Sequence, residues 1–138
     1  MGFGLKKYDI EGKTARYEMP MLDDAVLIVR PATEVNKEYF NKVIKRSHRH
    51  LKKIKRTGAD PKMLEDNRNV DRELYPLHVI ADWHHVTDEG GNLVPFSIEE
   101  CQAFVAEMPD WLFDDLREFA SDIENFINLM DTEEKAKN

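Results

Sequence analysis

The chain has little of what most enzymes, secreted scaffolds and membrane proteins need. It holds a single cysteine, Cys101, so no internal disulfide can form, and a reducing cytoplasm is the compartment that fits best. No apolar run approaches the roughly 20 residues that span a bilayer, and none follows a signal-peptide start. A membrane partner is therefore not expected. Glycine-rich phosphate loops, nucleophile elbows and paired carboxylates in an apolar setting are missing too, and no motif surrounds Cys101. These gaps predict a protein without catalytic residues and without a cofactor.

Metal-ligand spacing is equally poor. The five histidines include His48 with His50 and the group Asp82, His84 and His85. Two positions apart on a helix point to opposing sides, and adjacent residues near a turn diverge, whereas helical metal pairs sit three or four apart. No metal ligands are expected. Positive charge is scarce overall: 20 Lys and Arg stand against 27 Asp and Glu, for a net charge of -7. That balance disfavours a general nucleic-acid binder and a protein drawn to anionic lipid.

What is present is a core and a division of charge. Of the 138 residues 41% are apolar, with seven Phe, two Trp and four Tyr, enough to bury one core in one domain. Between Lys37 and Lys62 ten cations, Lys45, Arg49 and Lys52 among them, face only Glu38 and Asp60; from Glu99 to Glu134 Arg117 is the lone cation among a dozen carboxylates. A cationic and an anionic helix can pair within the fold or between copies, so homo-oligomers are left open.

In chain order, Thr14 to Met19 alternates and reads as a strand before Pro20, and Ala25 to Arg30 is a short apolar strand, with Met21 to Asp24 turning one into the other. Thr33 is placed to cap a helix carrying the stripe Val35, Tyr39, Val43, Ile44, Ser47, Leu51 and Ile54, ending near Gly58. Asp60-Pro61 marks another start. Asn67 to Asn69 offers a further cap before Val70, Leu74, Leu77 and Ala81 at helical spacing, where Pro76 predicts a kink or a nearby start.

Residues 82 to 97 form a joint between the basic and acidic halves. Asp88-Glu89-Gly90-Gly91-Asn92 should reverse the chain between Val86 and Leu93-Val94, with at least one of the two glycines at positive φ. Trp83 and Phe96 should pin the two sides to the core. Ser97 and Glu100 fit a capping box for a helix from Ile98 to Glu107. Pro109 then opens the last stripe, which runs through Leu112, Leu116, Phe119, Ile123, Phe126, Ile127 and Met130. The predicted class is α+β: a mostly helical single domain over residues 1–131, with a small antiparallel sheet from the N-terminal third, a β-turn joint before the C-terminal helices, and a flexible charged tail at 132–138.

The joint, with Trp83 before Asp88-Glu89-Gly90-Gly91 and Val94-Pro95-Phe96-Ser97 opening an acidic helix, resembles the tail assembly chaperones of long-tailed bacteriophages. Leu27 to Thr33 with Asn36, Tyr39 and Phe40, and Pro109 with Trp111, Leu112 and Phe113, agree with it. Together these cover roughly residues 25 to 130. The resemblance implies a non-enzymatic factor in the infected host's cytoplasm. It would bind and solubilise the tape measure protein, help recruit tail tube protein, and be absent from the mature virion. Two other classes stand beside it: a virion structural protein of the tail or head-tail junction, and a small nucleic-acid-binding regulator using the basic helix 37–56. The candidate partner contacts are Trp83, Phe96, Trp111, Phe113, Phe126, Lys45, Arg49 and Lys52. For Trp111, Phe113 and Phe126, which lie partly off the last stripe, a core role is the alternative.

Overall fold

The computed structural model describes residues 2, 3, 10, 12–46 and 61–127. Strands β1 (Ala15–Met19) and β2 (Ala25–Val29) form the expected antiparallel hairpin, with Ala15 opposite Val29 and Met19 opposite Ala25. Pro20–Leu22 makes a single 3-10 turn, and Asp23 and Asp24 then reverse the chain at φ values of 55° and 63°. Aspartate tolerates that left-handed region better than β-branched residues do, which is why the Asp-Asp pair serves here.

A third strand comes from the middle of the chain, not from the N-terminal third. β3 (Ile80–His84) pairs antiparallel with β2, giving the order β1-β2-β3. Leu27 stands opposite both Tyr17 and Trp83, so one row of large side chains crosses the inner face. All three are buried. The outer face carries Arg16, Glu18, Asp82 and His84 on the edge strands, as alternation requires.

Helix α1 covers 37–46 of the described residues, and its cap is Asn36 instead of Thr33. The Asn36 side-chain oxygen accepts from the Tyr39 N–H at 3.4 Å, while Thr33 closes only a local turn to Val35. Asparagine and threonine both cap well, and the buried Tyr39 decides where the helix can begin. The expected helix end near Gly58 and the stripe positions Ser47, Leu51 and Ile54 lie outside the described residues.

α2 (Pro61–Leu74) starts on proline, whose missing N–H is unneeded in a first turn, and it runs unbroken through Asn67 to Asn69, so no cap forms there. Pro76 does interrupt it. With no N–H to donate to the preceding turn, the backbone widens into a π-helical turn over Tyr75–Val79, closed by the Ile80 N–H to the Tyr75 carbonyl. The chain leaves that turn extended as β3. Leu77 and Ala81 therefore share no helical stripe: Leu77 is 46% exposed and Ala81 lies in the strand.

The joint forms as its residues predict. Thr87 bridges Leu93, the Val94 N–H donates to Val86, and Gly91 sits at φ 80°. Asp88 Oδ1 accepts from the N–H groups of Gly90 and Asn92, both at 2.9 Å, which holds the loop closed. Trp83 donates its indole N–H to the Val94 carbonyl at 2.8 Å and meets Phe96 edge-on at 5.3 Å. α3 (Ile98–Glu107) begins where Ser97 Oγ accepts from the Glu100 N–H at 3.1 Å.

α4 (Asp110–Ser121) follows Pro109 and buries Leu112, Phe113, Leu116 and Ala120. The last stripe is not one helix. At Asp122 ψ is 107°; the Asn125 amide takes the Phe119 carbonyl that another turn would have used, and Ile123–Phe126 forms a 3-10 turn. Phe126 still reaches the core, whereas Ile123 is 39% exposed. Met130 and the tail 132–138 are outside the described residues. The core lies between the inner face of the sheet, the 75–79 turn, α3 and α4, so the architecture is α+β, mostly helical, with one small three-stranded antiparallel sheet.

Candidate functional site

Two features stand out on the helical side: a polar network inside the fold and an open groove beside it. The network centres on Asp71, the buried charged residue of α2. One of its oxygens accepts the Tyr39 hydroxyl at 2.8 Å, and the other accepts from Arg117 Nε at 2.7 Å. Arg117 also reaches Asp114 at 3.2 Å, and Arg68 grips Asp114 with two bonds of 2.9 and 2.7 Å. Three helices are thereby joined through ionised groups with specified partners.

The titration of these groups follows from their surroundings. The bonds from Arg68 lower the Asp114 carboxyl, and Arg117 adds to them. Burial raises the Tyr39 hydroxyl, and the neighbouring Asp71 charge raises it further. Burial likewise raises Tyr75, which packs edge-on against both Tyr39 and Phe113. Asp71 has both oxygens engaged, one by the Tyr39 hydroxyl and the other by Arg117.

Arg72 links this network to the surface. It bonds Asp110 at 2.6 Å, donates to the Val105 carbonyl at the end of α3, and lies over the Phe113 ring at 4.8 Å. On its far side opens a groove of about 480 Å³ between α2, the 75–79 turn and α3. Leu74, Leu77 and Ala106 give it an apolar floor, and Arg46, Arg72 and Glu73 stand at its rim. Arg46 and Glu73 pair with each other at 2.6 Å, so the rim carries little unbalanced charge.

The predicted partner contacts separate on burial. Trp83, Phe113 and Phe126 are 5%, 0% and 2% exposed, so for these three the reading as docking rings gives way to the core. Their ring contacts with Phe96, Phe104, Tyr75 and Phe119 give the reason: each fills a gap between elements that a smaller side chain would leave empty. Phe96 is half-buried against Trp83, Trp111 is 62% exposed, and Lys45 is exposed on α1. Arg49 and Lys52 lie outside the described residues.

The acidic α4 pairs with Arg68 and Arg72 of α2, two cations beyond the basic run that the charge pattern marked. Sequence reading missed Asp71, Arg117, Arg68 and Arg72 as a group. The available signal was spacing: Arg68 and Arg72 are four apart on one helix face, as are Asp110 and Asp114 on another. Among the described residues no three His, Cys, Asp or Glu side chains gather at metal-binding distance. No described helix is long and apolar enough to cross a membrane.

These features define a small α+β protein whose accessible apolar groove lies between helices. Its residues 35–138 match the family described as YdaY prophage protein. That is more than half of the chain, and the chain belongs to this family, which makes it a phage-related protein. The matched range takes in α1 to α4 and β3 and leaves the β1-β2 hairpin outside. No curated protein and no solved structure matches the chain.

Proposed function

We propose that this phage-related protein is a non-enzymatic tail assembly chaperone. It binds the tape measure protein, keeps it soluble and helps bring tail tube subunits to it, acting in the host cytoplasm and leaving before the virion matures. Besides the resemblance at the joint and the prophage family, one observation supports the reading: the 480 Å³ groove floored by Leu74, Leu77 and Ala106. A tape measure protein is a long helix with apolar stripes that must be shielded until the tail forms. An amphipathic helix presents apolar side chains at three- and four-residue steps, and an apolar floor between helices is a complementary receptor for them. Many copies along one rod need no high affinity each.

Leu77 is the residue to test, because it is 46% exposed and its removal leaves the core intact. The chain is co-expressed with the long tape-measure-like product of a neighbouring gene, and soluble complex is recovered by pull-down. The wild type should keep the long protein soluble and co-purify with it, and Leu77→Asp should lose most of both. Equal recovery with Leu77→Asp, or a tape measure protein as insoluble with the chain as without it, would refute the reading. Finding the chain stoichiometrically in purified particles would instead favour a virion structural role.

A further inference from the structure

A smaller cleft of about 230 Å³ opens where Ile10, Gly12 and Lys13, the end of β2 and the start of α1 meet. Its floor is apolar, made by Ile10, Pro31 and Val35, of which Ile10 and Pro31 are buried. Lys13, Arg30 and Lys37 stand around it. In a chain of net charge -7, the arginines of the described helices are engaged: Arg46, Arg68, Arg72 and Arg117 all have carboxylate partners. Among the described residues the three at this cleft have no carboxylate partner, and Glu38, the carboxylate that lines it, lies 3.6 Å from His78 Nδ1.

We infer that this cleft is a docking site for an acidic peptide segment of a partner protein: one aliphatic side chain enters the apolar floor, and its flanking carboxylates meet Lys13, Arg30 and Lys37. Size selects this ligand. Pockets that enclose cofactors and drug-sized molecules hold roughly 300–1,000 Å³, whereas this one suits a single side chain with charge at its lip. Charge complementarity selects the flanking residues, because three cations with no carboxylate partner among the described residues, set beside an apolar floor, both steer and orient an anionic chain. The inference goes beyond the chaperone reading and stands whatever occupies the α2-α3 groove.

The test uses a fluorescein-labelled peptide, Asp-Glu-Leu-Glu-Asp with blocked ends, and anisotropy titration against the full chain. Binding should be saturable and should weaken as salt rises. In Arg30→Glu/Lys37→Glu the affinity should fall by about tenfold or more, while Arg30→Lys/Lys37→Arg keeps it. Both positions are exposed, and thermal melting verifies that each variant folds. Replacing the peptide's leucine by serine should also weaken binding, and inorganic phosphate at equal ionic strength should not compete better than chloride. No binding by the wild type, equal binding by the charge-reversed variant, or indifference to the leucine would overturn the inference. So would self-association of the free chain that is lost in the charge-reversed variant without any peptide binding, since the occupant would then be a second copy.

Discussion

Replacing Asp71 by alanine removes the carboxylate that Tyr39 and Arg117 share. The side chain of Asp71 is 11% exposed and that of Arg117 is 27% exposed, which puts the pair between a surface bridge and a fully buried one. A surface bridge such as Arg46–Glu73, exposed by 52% and 62%, contributes about 0–1 kcal/mol. Removing one member of a buried pair costs about 3–5 kcal/mol, because the other charge stays behind without compensation. Two local facts adjust that range. Arg117 keeps Asp114 at 3.2 Å, which lowers the cost, and the Tyr39 hydroxyl loses a charge-assisted bond worth about 1.5–3 kcal/mol. We expect Asp71→Ala to cost about 3 kcal/mol in urea unfolding followed by the fluorescence of buried Trp83, with an unchanged m value. Adding Arg117→Met should return part of that loss, since it removes the stranded guanidinium. Glu73→Ala is the control and should cost less than about 1 kcal/mol. An Asp71→Ala variant no less stable than Glu73→Ala would refute the claim that this network fastens α1 and α4 to α2.

Gly91 has φ 80° and Gly90 does not, so by calorimetry Gly91→Ala should cost about 1 kcal/mol or more. Gly90→Ala should cost less, because its Cβ would meet mainly the end of the Asn92 side chain, at 3.2 Å. Similar losses at the two positions would mean that the loop conformation does not matter. Ser97→Ala should lower stability by about 0.5–2 kcal/mol through the lost cap of α3, and an unchanged melting curve would deny that cap. Burial lifts the Cys101 thiol from 9.0 to about 12, and burial together with Asp115 or Asp71 raises Tyr17 and Tyr39 above 10.0. Groups raised in the fold stabilise it fully below their unfolded values, so the melting temperature should fall as pH climbs from about 9. Asp114 is lowered by Arg68, so its contribution holds above the usual carboxylate range and is lost on acidification below about pH 4. A melting temperature flat from about pH 8 to 11 would contradict the alkaline arm.

Much of the molecule was legible locally. The β1-β2 hairpin, the Asp88 to Asn92 turn, the Ser97 cap and the starts at Pro61 and Pro109 each depend on a few adjacent residues with narrow backbone preferences, and short-range chemistry decides them. The tail chaperone resemblance rests on the same kind of signal, and the prophage family carries it only as far as a phage-related protein. What the tertiary structure decided was the use of ambiguous stretches. The apolar residues from Val70 to Trp83 fit a helical period about as well as a strand, and only the vacant edge of β2 and the widened turn at Pro76 convert their second half into β3. The same holds for charge. Pattern alone separates a basic from an acidic segment, but which cation meets which carboxylate depends on α2 lying beside α4, so Arg68 and Arg72 hold the acidic helix while Lys13, Arg30 and Lys37 are left facing an apolar cleft. Packing between elements distant in sequence also buried Phe113 and Phe126 and left Trp111 outside, because a helix stripe specifies which residues share a side and not how much of that side its neighbours will cover.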